Sequence, residues 1–124
     1  AGSEYSYTPY SRPELAMSAE GLLCREYLGW PRDHDRLAIG CTKLVASPIQ
    51  SDRDERSFYY WYYATQTLHH YGGDLWRQWN RGMRVELPKL QVKSGREQGS
   101  WSPQGDPHAS AGGRLYTTCF ALYC

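Results

Sequence analysis

The sequence predicts an all-α fold built from helical hairpin repeats, and three observations carry that expectation. Six aromatic residues, Phe58-Tyr59-Tyr60-Trp61-Tyr62-Tyr63, run into Ala64-Thr65-Gln66-Thr67-Leu68-His69-His70-Tyr71 and stop at Gly72-Gly73. Apolar residues recur at helical spacing on both sides of this stretch, and Gly, Pro and Ser punctuate the joints. The segments pair into two helix–turn–helix units, the loose repetition that marks helical-repeat architecture.

Residues 1–12 contain Tyr, Ser and Pro without a helical period and read as an extended arm that can lay its tyrosines on another surface. In the first helix Pro13 can provide an early start, but Ser18 is the better N-cap. Glu20 then falls in the first turn, and Met17 is placed to staple against Leu22. The helix runs through Leu22, Leu23 and Tyr27 to Gly29, and Trp30-Pro31 forms the corner. Asp33 or Asp35 caps a second helix with Leu37, Cys41, Leu44 and Val45 on one face, ended by Ser47-Pro48. The loop 49–56 is polar, and Ser51 with Asp54 resembles a capping box for the aromatic helix.

At about 100° per residue, six consecutive rings travel more than once around a helix axis. A helix that is apolar all round is central or lines a cavity. Phe58, Trp61, Tyr62, Thr65, Leu68 and His69 share one side, while Tyr59, Tyr60, Tyr63, Thr67 and His70 share the other. Gly72-Gly73 closes this helix and Asp74 caps the next, where Trp76, Trp79, Met83, Leu87 and Leu90 form a stripe with Arg77, Arg81 and Arg84 outside. Pro88 kinks or ends it. The long glycine-rich segment 94–110 is built around Gly99-Ser100-Trp101, and Trp101 is expected to be buried against the preceding hairpin. A last helix starts between Ser110 and Arg114 and carries Leu115, Cys119, Leu122 and Tyr123. It stops without glycine or a basic last turn, which reads as a cut through a helix and leaves an apolar face unpartnered.

A chain of 124 residues is one domain's worth and can bury a core. The net charge of +1 gives no electrostatic case for nucleic acid or an anionic membrane surface. No apolar run is long enough to span a membrane and no signal peptide is evident. Arginine greatly outnumbers lysine, which suits paired and stacked contacts. The aromatic share of 15%, mostly Tyr and Trp, serves cores with polar tips, interfaces and ligand cavities alike. Cys24, Cys41, Cys119 and Cys124 lack the short paired spacing of zinc or haem motifs and read as small buried hydrophobes. Cys24 and Cys41, on successive helices, remain open to pairing in an oxidising compartment.

Four stretches carry a family likeness: Met17-Ser18-Ala19-Glu20-Gly21-Leu22-Leu23-Cys24-Arg25, Phe58 through Gln66, Gly99-Ser100-Trp101, and Gly112-Gly113-Arg114-Leu115-Tyr116-Thr117-Thr118. Together they resemble the α/α-toroid repeats of the squalene–hopene cyclase and prenyltransferase superfamily, most of all the toroid module near the C-terminus of large uncharacterised bacterial proteins. The resemblance covers nearly everything after residue 16. It implies paired inner and outer helices around a central cavity, here a partial toroid over residues 13–124. Gly-Ser-Trp resembles the end of the cyclases' Gln–Trp motif, whose indole packs at the turn between helices. Gly95 stands where that motif places its glutamine, so the stacking partner of Trp101 comes from elsewhere, with Gln91 and Gln98 as candidates.

The resemblance also implies three chemistries that can be checked residue by residue. The cyclases' Asp-x-Asp-Asp acid has its nearest match in Asp33-His34-Asp35-Arg36, where an adjacent arginine favours the ionised carboxylate and helix capping accounts for the aspartates. The prenyltransferases' zinc triad finds its residue types in Asp106, His108 and Cys119 without the family's spacing. His69 and His70 diverge by about 100° on one helix and do not readily share a metal. Gly95-Arg96-Glu97-Gln98 has glycine at the thioester nucleophile position.

No catalytic residue, metal site or cofactor is therefore expected, and the sequence leans away from an enzyme. The ligand or interface candidates are Tyr59, Tyr60, Trp61, Tyr62, Tyr63, His69, His70, Trp101, Arg114 and Tyr116. For the aromatic helix the two readings are core packing and a π-rich wall facing an apolar ligand. Arg114 and Tyr116 are a surface pair or a contact for an anion. The leading expectation is a non-catalytic toroid scaffold or protein-interaction and assembly module. Self-association or a protein partner would cover the last helix, unless Tyr5, Tyr7 and Tyr10 of the arm fold over it. The alternatives are a fragment of a squalene cyclase-like isoprenoid-processing enzyme and a binding module for a small apolar ligand.

Overall fold

The computed structural model describes residues 2–54 and 56–124; Ala1 of the expected arm and Glu55 of the expected loop lie outside them. Among the described residues the fold is all-α: α1 (Leu15–Tyr27), α2 (Asp35–Val45), α3 (Phe58–Tyr71), α4 (Gly73–Glu86), a 3₁₀ turn (Leu87–Leu90) and α5 (Ala109–Tyr123). Sheet geometry is confined to one isolated antiparallel bridge, Gln91 to Trp101. The aromatic helix α3 is central, touching α1, α2, α4 and α5. The first helices of the two hairpins pack on each other most extensively, and the second helices α2 and α4 also meet.

The N-cap of α1 lies four residues before the expected one. Glu14 holds the N-cap position, so Pro13 lies just outside the helix, and Ser18 is buried within it. Ser18 is drawn to a different task. Its hydroxyl accepts a hydrogen bond from the Tyr5 N–H at 2.9 Å, fixing the N-terminal arm on α1. The Tyr5 ring lies so close to Gly21 that a Cβ there would stand 2.5 Å from it, so the arm needs glycine at this crossing. Arg25 Nε donates to the Tyr5 hydroxyl at 3.1 Å, and Lys43 of α2 pairs with Glu4 at 2.8 Å. The arm therefore lies on α1 and α2, with Tyr7 and Tyr10 exposed, rather than over α5.

The α1 terminus is a Schellman motif. Gly29 takes φ 90°, its N–H donates to Glu26 O, and the Trp30 N–H reaches back to Arg25 O, both at 3.0 Å. Trp30 stacks on His34 with ring centroids 3.9 Å apart. His34, rather than Asp33 or Asp35, is the N-cap of α2, its Nδ1 accepting from the Arg36 N–H at 3.2 Å. Leu37, Cys41, Leu44 and Val45 form the buried face of α2 as the spacing predicts.

Ser57 caps α3 by accepting from the Tyr60 N–H at 3.3 Å, in place of the expected Ser51–Asp54 box. Ser51 instead bonds to Glu86 at the end of α4. Gly72 ends α3 and is also the N-cap of α4, so Asp74 sits in the first turn and pairs with Arg77. Trp79, Met83 and Leu87 are buried with Trp76 and Leu90 partly so, and Pro88 ends α4 in the 3₁₀ turn. Helix α5 starts at Ala109 and kinks at Gly113. Its inward residues are Thr117 and Ala121.

One apolar core joins these helices. It runs from Leu22 and Leu37 through Phe58, Trp61 and Leu68 to Trp79, Met83, Trp101 and Ala121. Each large side chain withdrawn from water contributes about 1.5–3 kcal/mol, which is why a short arm and five modest helices hold together.

Candidate functional site

Helix α3 divides its rings between core and surface. Phe58, Tyr60 and Trp61 are buried, Phe58 meeting Trp61 edge-on at 4.9 Å. The Tyr60 hydroxyl lies 3.1 Å from Leu44 O and 3.0 Å from Ser47 O, so its single proton serves carbonyls at the end of α2. Burial pushes the Tyr60 phenol far above its ordinary range. Across the same helix, Thr65 accepts from the Trp79 indole at 2.9 Å and Thr67 donates to Ala19 O at 2.9 Å. On this side the aromatic helix is a packing element with satisfied polar tips.

The outward rings gather with α5. Tyr59 and Tyr63 lie 4.7 Å apart, Tyr62 and Tyr63 5.0 Å, Tyr62 and Phe120 5.0 Å, and Tyr116 and Phe120 4.7 Å. Tyr123 adds its ring at 6.4 Å from Tyr62. Tyr62, Tyr63, Cys119, Phe120 and Tyr123 line an open groove of about 300 Å³. The pKa of Tyr59 is raised by desolvation and by its 2.8 Å hydrogen bond to Glu20, and that of Tyr62 by desolvation and the neighbouring Tyr63. Desolvation, with the nearby Asp106 charge, pushes Tyr116 up to about 12, and its enclosed hydroxyl has no partner among the described residues. This face is an aromatic cluster shared by α3 and α5.

The remaining predicted residues are dispersed. His69 and His70 are exposed and part company: His69 packs edge-on to Trp76 at 4.9 Å and His70 to Tyr27 at 5.3 Å. Trp101 is buried, its Nε1–H donating to Leu87 O at 2.9 Å. Its anchor is thus a backbone carbonyl, while Gln91 reaches Gly99 O at 2.9 Å. Thr117 donates to Trp101 O at 2.7 Å, so α5 holds the Gly-Ser-Trp turn from the far side. Arg114 pairs with Glu97 at 2.5 Å and donates to Ser100 Oγ at 3.2 Å; it pins the 94–101 loop. Cys24 and Cys119 are exposed, contrary to the expectation of four buried thiols, and all four cysteines are free.

The capping role of Asp106, weighed in the sequence only as a zinc-ligand type, and the part played by Phe120 escaped the sequence reading. Asp106 is buried, and its carboxylate accepts from the Phe58 N–H at 2.8 Å and the His108 N–H at 2.8 Å, closing the start of α3 from a distant loop. Phe120 joins the outward rings of α3 to Tyr116. Its i+4 spacing from Tyr116 was the available signal. Among the described residues no three His, Cys, Asp or Glu side chains gather as a metal site. Among the same residues no helix is long and apolar enough to cross a membrane. No protein-family model, curated protein or solved structure matches the chain.

Proposed function

We propose that this chain is a non-catalytic assembly module of α/α-toroid type and that it self-associates through the α3–α5 face. One observation carries the reading. Leu115, Leu122 and Tyr123 are 77%, 69% and 69% exposed, and with Cys119 they occupy one side of α5 beside the Tyr62–Tyr63–Phe120 groove. An apolar patch of this kind marks an interface more often than a solvated surface. The arm that could have covered it is bound to α1 through Tyr5. From Leu115 to Tyr123 there is no charged side chain, so two copies can meet face to face without like-charge repulsion. A two-fold axis pairs such a patch with itself. The toroid part of the reading is supported by the packing of α1 on α3 and of α2 on α4, the way successive hairpins stack in repeat folds.

Sedimentation velocity at micromolar concentration tests the reading, with reductant present so that exposed Cys119 does not cross-link copies. A dimer is expected. Leu122→Glu or Leu115→Glu should convert it to a monomer of unchanged helicity. A monodisperse monomeric parent chain overturns the proposal, as does a dimer indifferent to both substitutions.

A further inference from the structure

A cavity of about 410 Å³ lies on the other side of the molecule, at the start of α3. Its wall combines the edges of Tyr60 and Trp61 with Leu15 and two prolines, and its polar lining includes Arg53 and Arg56. Among the described residues that line it there is no acidic side chain. Among the described residues the enclosed Arg56 Nε has no hydrogen-bond partner, and neither guanidinium forms an ion pair. By contrast, Arg25 donates to Tyr5, Arg77 pairs with Asp74 and Arg114 pairs with Glu97. Arg81 and Arg84 also border a pocket without an acidic lining residue, but among the described arginines only Arg56 has an enclosed donor left without a partner. An enclosed N–H without an acceptor carries a cost that a bound oxygen anion would remove.

We propose that this cavity binds a small amphipathic carboxylate, its anionic head on Arg53 and Arg56 and its apolar body against Tyr60, Trp61 and Leu15. The guanidinium fork matches a carboxylate in a two-bond geometry, and the positive end of the α3 dipole adds to the attraction. The volume falls within the usual range for small-molecule pockets of roughly 300–1,000 Å³. The predominantly apolar wall selects an anion with a hydrocarbon or aryl body over a bare inorganic one. This site is separate from the α3–α5 face, and its occupancy does not depend on self-association.

Isothermal titration with octanoate, octanol and inorganic phosphate tests the assignment. Octanoate should bind saturably, and octanol and phosphate each at least about tenfold more weakly, since each lacks one half of the recognition. Arg56→Gln should weaken octanoate by about tenfold, the worth of one charge-assisted contact. That variant keeps the backbone bond from the Arg56 N–H to Gly105 O. Arg53→Gln, at an exposed position, provides the same comparison should Arg56→Gln fold poorly. Phosphate binding as tightly as octanoate, octanoate binding unchanged in both variants, or no saturable octanoate binding at millimolar concentration overturns the proposal.

Discussion

Replacing Trp101 by alanine removes the largest side chain in the 91–101 loop from a site where only 6% of its surface meets solvent. The indole packs with Met83, Leu87 and Ala121 in the core, and its Nε1–H satisfies Leu87 O. Truncations of this size cost about 3–5 kcal/mol, transfer and residual cavity together. Unfolding entropy near 2.1 cal/mol/K per residue, over 124 residues, gives roughly 0.26 kcal/mol/K. A loss of about 4 kcal/mol therefore lowers Tm by roughly 15 °C. Trp101→Phe separates the two contributions, because it keeps most of the packing and strands the Leu87 carbonyl at a cost of about 1–3 kcal/mol. Urea unfolding followed by far-ultraviolet circular dichroism supplies both numbers, provided the m-value is unchanged. Trp101→Ala within error of the parent, or Trp101→Phe as damaging as Trp101→Ala, would refute the packing argument.

Asp106→Ala should destabilise the fold by about 1–3 kcal/mol, because it leaves the buried Phe58 N–H without an acceptor. Asp106→Asn should recover much of that loss, and faster amide exchange at Phe58 in the alanine variant alone is the accompanying signature. Glu26 gives a pH dependence of defined sign. Burial raises its carboxyl from 4.5 to about 7, so between those values the folded state holds a proton that the unfolded chain releases. The contribution of Glu26 to stability is thus full below pH 4.5, declines as pH rises, and is lost above about 7. Discounted for the carboxyl's partial solvation, the contribution is about 1–2 kcal/mol. Glu26→Gln should flatten that part of a Tm-versus-pH curve, and an unchanged slope in the variant would remove Glu26 as its source.

The helices were legible in the sequence because burial sets their period. Leu37, Cys41, Leu44 and Val45 repeat at the spacing of one helix face, and Gly72-Gly73 leaves little room for continuation. Their starts were harder to read because a cap is decided by what else competes for the same atoms. Ser18 looks like an N-cap in isolation, but the arm claims its hydroxyl through Tyr5. His34 caps α2 through an imidazole nitrogen while its ring stacks on Trp30, a geometry that exists only after the corner has formed. In α5 the large residues mark the outside, and the inward side is small Thr117 and Ala121, which fit where α3 approaches closely. The outward aromatic cluster was half visible. Tyr59, Tyr62 and Tyr63 announced it, whereas the arginine-lined cavity depends on a loop folding back to the start of α3, which no local pattern encodes.

The long-range cap on α3 has a consequence for biosynthesis. Phe58 emerges from the ribosome 48 residues before Asp106, its hydrogen-bond partner. At about 5–20 residues per second that interval is roughly 2–10 s, far longer than a helix needs to form. Throughout it, the most aromatic segment of the chain can coil and pack against α1 and α2 while its leading amide waits. The Phe58 amide therefore gains its side-chain cap only after the 103–108 loop has been synthesised.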